Sequence, residues 1–88
     1  MNWEVLIRSK AEKNFKKFPQ KDILRIKDAF CQMEINPYLG NIEKMEGEKN
    51  VWRRRVGEYR IFYEVLTQSQ KVYIFRVERR TTTTYRKK

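Results

Sequence analysis

The chain has no histidine and one cysteine, Cys31. It can therefore form no internal disulfide, build no zinc-ligand cluster and use no imidazole as acid or base. Carboxylates are scarce too, with 11 Asp+Glu against 21 Lys+Arg, and they are scattered. Glu43, Glu46 and Glu48 fall in what reads as a loop, without the strand-end acidic partner of a two-metal nuclease. No metal and no cofactor is expected. No apolar run approaches the roughly 20 residues that span a bilayer, and the N-terminus lacks the basic, apolar and small-residue order of a signal peptide. A cytoplasmic protein with no membrane partner is the expectation. At 88 residues the chain is too short to divide, so residues 1–88 should form one domain.

What is abundant is aromatic and basic. Five Phe, five Tyr and two Trp supply enough apolar area to offset the ordering cost of a small chain. The net charge is +10, a field that draws polyanions. Its distribution is uneven: residues 1–52 hold 10 basic and 8 acidic side chains, residues 53–88 hold 11 and 3. Eight of the ten arginines lie in that second part, and the planar guanidinium matches phosphate oxygens in a bidentate way that lysine does not.

Trp3 to Arg8 shows the alternation of a half-buried strand. Ser9-Lys10-Ala11-Glu12 has the form of a capping box, predicting a helix to about Lys17. Pro19 can open a second helix, and Ile23, Ile26, Phe30 and Met33 form one apolar stripe along it to about Ile35. Cys31 beside that stripe reads as a buried or half-buried side chain without a chemical role. Asn36 to Gly40 collects turn residues. From there β-branched and aromatic residues dominate, with Gly57-Glu58 dividing Val51 to Val56 from Tyr59 to Leu66, and a further turn before Val72 to Glu78. The expected fold is α+β: an N-terminal helical hairpin packed on a small twisted antiparallel sheet. Where the first strand pairs is left open by pattern. Thr81 to Thr84 reads as an exposed connector.

The densest cluster is Trp52-Arg53-Arg54-Arg55-Val56-Gly57-Glu58-Tyr59-Arg60. On a strand Arg53 and Arg55 share one face, while Arg54 joins Trp52 and Val56 on the other. Set beside Arg60 across the hairpin and Arg79 at the end of the last strand, Arg53 and Arg55 would line a surface about as wide as a phosphodiester. A solvated face without ligand is the other reading composition allows. Trp3 and Trp52 read as core anchors.

Val51-Trp52-Arg53-Arg54-Arg55-Val56-Gly57-Glu58-Tyr59-Arg60-Ile61-Phe62-Tyr63, with Arg79 and Tyr85 six residues beyond it, resembles the RelE/ParE superfamily of type II toxins, in particular its RelE-like mRNA endoribonucleases. The resemblance implies metal-independent cleavage of mRNA in the ribosomal A site, by attack of a ribose 2′-OH on the adjacent phosphate. It implies that Arg60 stabilises charge on the phosphate, that Arg79 neutralises the leaving 5′-oxygen, that Tyr85 stacks on a base, and that Arg53 fills a basic position of the strand. Arg55, Lys49, Arg80 and Arg86 would contribute RNA contacts. A second basic position, two residues before Arg53, is Val51 here. Arginine is a poor general base at neutral pH, so Lys49, Tyr85 or the ribosome itself would have to assist. The implied partners are the ribosome, mRNA and an acidic RelB-like antitoxin whose disordered segment folds on binding. The alternatives are a ParE-like inhibitor of DNA gyrase and a non-catalytic RNA- or ribosome-binding module.

Overall fold

The structure, a computed structural model, describes residues 2–79, so Arg80, Thr81 to Thr84, Tyr85 and Arg86 lie outside the described residues. The elements run β1 (Glu4–Ile7), α1 (Ser9–Phe15), α2 (Gln20–Ile35), β2 (Ile42–Lys44), β3 (Val51–Val56), β4 (Tyr59–Leu66) and β5 (Lys71–Arg79). The strands form one sheet in the order β1-β5-β4-β3-β2. All neighbours pair antiparallel except β1, which lies parallel to β5 at the edge. β1 and β5 are joined through α1, α2 and the strands β2 to β4, a connection long enough for the two to run in the same direction, which a tight hairpin cannot do.

The core is the interdigitation of the α2 stripe with alternate residues of β4 and β5. Ile23, Ile26, Phe30 and Met33 meet Tyr59, Ile61, Tyr63 and Val65, together with Val72, Ile74 and Val77. Phe15 of α1 enters the same cluster, while Trp3, Trp52 and Val56 pack against it half-buried. Both tryptophans anchor through Tyr38, which meets Trp3 at 6.5 Å and Trp52 at 5.5 Å in edge-on geometry. The turn after β3 is tight because Gly57 adopts φ 58°, a left-handed conformation that glycine takes at little cost.

Three local expectations are corrected. Arg8, not Ser9, takes the cap position of α1, and no side chain bonds the free amides there, so Ser9 and Glu12 do not make a capping box. α2 does open at Pro19, the cap residue whose carbonyl accepts from the Asp22 and Ile23 amides. Cys31 is exposed, on the flank of α2 beside the buried stripe. Residues 42–44, read as loop, form the edge strand β2, with Glu43 opposite Arg53; three residues are too few to show a period.

Buried polar groups tie the two layers. Asn14 Nδ2 donates to Val77 O at 2.6 Å, which covers the edge of β5 beyond the end of β1. Tyr59 OH donates to Asp22 in the first turn of α2 at 2.6 Å, and Tyr63 OH donates to Pro37 O at 2.7 Å. Burial pushes the Tyr63 phenol up to about 12, although the nearby Arg54 guanidinium acts in the opposite direction. The unfolded phenol loses its proton near pH 10, so between pH 10 and 12 the folded state holds the extra proton and stability falls as pH rises. The expected slope is about 1.4 kcal/mol per pH unit from this residue. Urea midpoints at pH 9 and pH 11 measure it. Tyr63→Phe should lower stability by about 1 kcal/mol at neutral pH through the lost hydrogen bond, yet flatten that alkaline decline.

Candidate functional site

With α1 and α2 on one face of the sheet, the other face carries no helix among the described residues. The ladder arranges its side chains in rows. Arg55 stands opposite Arg60, and Arg60 opposite Glu78; in the next row Arg53 stands opposite Phe62, and Phe62 opposite Arg76. Glu64 and Tyr73 continue the face. Four guanidiniums, from three adjacent strands, thus share one surface.

A β-bulge in β5 creates this arrangement. Phe62 faces Arg76 while Tyr63 faces Ile74, leaving Phe75 as the extra residue. The bulge reverses the alternation beyond it. Val77 therefore turns into the core, and Arg76 and Glu78 come out onto the arginine-bearing face.

The expected set is only partly brought together. Arg53, Arg55 and Arg60 share the face as predicted. Arg79 does not. The same reversal pairs it with Tyr59 on the helix-bearing side, its guanidinium 5.9 Å from the Tyr59 ring and 3.2 Å from a Glu58 oxygen. The hydrogen bond to Glu58 and the neighbouring Tyr59 hold the Arg79 proton more tightly than usual. Lys49 is exposed in the loop before β3. Arg80, Tyr85 and Arg86 lie outside the described residues. Arg76, which sequence reasoning passed over, joins the site instead, and the bulge that places it leaves no signature in the residue pattern.

The face is preorganised by its own carboxylates. Glu78 bridges Arg60 Nη1 at 3.3 Å and Arg76 Nη2 at 2.8 Å, while Glu43 reaches across from β2 to pair with Arg53. Arg60 Nε is buried with no hydrogen-bond partner among the described residues. The cations outnumber the acids on the face, so the surface retains positive charge around a half-buried aromatic, Phe62. Around the edge of β5, Arg8, Lys10, Lys13 and Lys17 extend the basic surface along a groove of about 670 Å³. Such a surface can bind phosphate oxygens and stabilise negative charge that develops on them. Among the described residues no group of three or more His, Cys, Asp or Glu is placed to hold a metal ion, and no helix is long and apolar enough to cross a membrane.

A small sheet with two helices on one face is the fold of solved archaeal and bacterial toxins of toxin-antitoxin pairs. Residues 5–83 match the family described as the ParE toxin of the type II toxin-antitoxin system parDE. The chain belongs to the RelE/ParE superfamily of type II toxins. It is 26% identical over 83 residues to a chain of Methanocaldococcus jannaschii named provisionally as toxin RelE1, covering 91% of this chain and 92% of the relative. Its fold is similar to that in the archaeal RelE-RelB complex from Pyrococcus horikoshii, with TM-score 0.82 and 23% identity over 93% of this chain and 99% of that one. The RelB-RelE antitoxin-toxin complex from Methanococcus jannaschii gives TM-score 0.72 and 27% identity, over 92% and 96%.

Proposed function

We propose that this protein is a toxin that cleaves mRNA on the ribosome without a metal, and that an acidic antitoxin neutralises it. The observation that carries the reading is the convergence of Arg53, Arg55, Arg60 and Arg76 on the uncovered sheet face. In the reaction a ribose 2′-OH gives up its proton to a base that Lys49, Tyr85 or the ribosome supplies, its oxygen bonds to the adjacent phosphorus, and the bond to the 5′-oxygen breaks; that oxygen takes up a proton, so a 2′,3′-cyclic phosphate and a 5′-OH remain. Arg60, at the centre of the basic rows, stabilises the charge that gathers on the phosphate oxygens, because a donor already aimed at the site needs no reorganisation. Arg53 and Arg55 hold the flanking phosphates. Arg79, the last residue of β5, exchanges Glu58 for the leaving oxygen, and Tyr85, six residues on in the sequence, stacks on the base. The ribosome fixes the substrate, so proximity and orientation supply much of the rate and the isolated protein should cut free RNA poorly. The antitoxin reading draws on the net charge of +10 and on relatives solved as toxin bound to antitoxin.

The test is purified protein added to a cell-free translation reaction, with mRNA 5′ ends mapped by primer extension. New ends that need both ribosomes and wild-type protein are expected; intact mRNA in every condition overturns the reading. The family matched favours a second reading, inhibition of DNA gyrase by binding. Loss of gyrase supercoiling with mRNA left whole would select it.

A further inference from the structure

We propose that Phe62 is a stacking platform for one unpaired base of single-stranded RNA, with Arg76 closing over it. This rests on the reading of the sheet face as an RNA surface and adds to it a base-binding subsite. Phe62 lies in the middle of the sheet on the face that carries no helix among the described residues, half-buried, between Arg53 on one side and Arg76 on the other in register. The Arg76 guanidinium sits 5.6 Å from the centre of the Phe62 ring, and the Phe75 ring, placed by the bulge, lies 6.4 Å from it. A core aromatic needs none of these cations, and a solvated arginine face needs no aromatic at its centre. Together they make the pairing that single-stranded nucleic acid uses: a flat apolar surface for a base, which every base can stack on, and guanidiniums beside it for the phosphates that flank that base.

The charge balance selects the occupant. Arg53, Arg55, Arg60 and Arg76 surround the ring, with Glu43 on Arg53 and one carboxylate, Glu78, shared between Arg60 and Arg76. An apolar partner helix would bury that under-compensated pair together with Arg55, which has no ion-pair partner among the described residues, whereas a ribose-phosphate backbone satisfies them as the base covers Phe62. Arg76 is the more exposed half of the subsite, 63% exposed and held among the described residues by Glu78 and by its place over the Phe62 ring.

A labelled short single-stranded RNA, and the same RNA with an abasic ribose moved through each position, give the test by fluorescence anisotropy on the full chain. Phe62→Leu should weaken binding about tenfold without changing the salt dependence, while Phe62→Trp retains it. Arg76→Gln should weaken binding and lower the salt slope by about one. One abasic position should cost the wild type what Phe62→Leu costs and cost the variant nothing more. Urea midpoints establish that each variant is folded. Three outcomes overturn the proposal: no RNA binding by the wild type, Phe62→Leu binding within about twofold of it, or no dependence on an abasic position. A Phe62→Leu defect confined to a protein partner would make this face a protein-docking surface and also overturn it. Base-dependent binding without ribosomal cleavage leaves the subsite standing and removes the endoribonuclease. Ribosomal cleavage at unchanged positions and rate by Phe62→Leu does the reverse.

Discussion

Arg60→Ala should lower ribosome-dependent mRNA cleavage by about 10²- to 10³-fold, the loss seen when one preorganised donor to a developing oxyanion is removed. Single-turnover cleavage in a cell-free translation reaction measures it. The fold should survive, because Arg60 faces away from the helices and Glu78 keeps Arg76 as its counter-ion. A loss under about tenfold, equal to 1.4 kcal/mol of barrier, would remove Arg60 from the chemistry. Arg79→Ala asks a different question. The resemblance assigns Arg79 to the leaving oxygen, yet its guanidinium is bonded to Glu58 on the opposite side of the sheet. A loss as deep as that of Arg60→Ala requires that bond to open during the reaction, and Glu58→Gln should then raise the rate. A small loss leaves Arg79 as a contact of the fold.

Arg54→Met should raise stability by about 2 kcal/mol, read as a higher urea midpoint at unchanged slope. Arg54 points into the helix-bearing side, 8% exposed, with Nη2 donating to Gln32 at 2.6 Å and with Nε and Nη1 buried without partners. A buried guanidinium that lacks a carboxylate costs more than it returns, and an unbranched apolar side chain of similar reach removes that cost. Gly40 is the coupled position. It adopts φ 88°, and a Cβ there would lie 2.7 Å from Arg54 Nε. Gly40→Ala should therefore cost about 3 kcal/mol in the wild type through left-handed strain and displacement of the guanidinium. In the Arg54→Met background only the backbone part, about 1 kcal/mol, should remain. The double-mutant cycle isolates the difference; an equal cost in both backgrounds would show that the two residues do not press on each other.

The elements with a strong period were legible from the residues. The stripe Ile23, Ile26, Phe30, Met33 places the core side of α2, and all four are buried. The alternation of β3 correctly separates Arg54 from Arg53 and Arg55, because side-chain direction in a regular strand follows position alone. The pairing of β1 was not legible, since a four-residue strand carries no record of its neighbour. Arg79 shows the limit of alternation most clearly. Counting by twos from Tyr73 puts it on the face of Arg60, and the bulge at Phe75 puts it on the other and brings up Arg76 and Glu78.

By itself, then, the sequence determined the two-layer α+β plan, the core stripe, the basic excess and the membership of Arg53, Arg55 and Arg60 in one surface. Each of these follows from local periodicity or from summed charge, neither of which depends on what a residue touches. The tertiary structure alone decided the parallel edge strand, the β2 contact of Glu43 with Arg53, and the exchange of Arg79 for Arg76 beside Phe62. These depend on where the chain spends one extra residue so that Val77 reaches the core, a choice made by packing across the whole sheet.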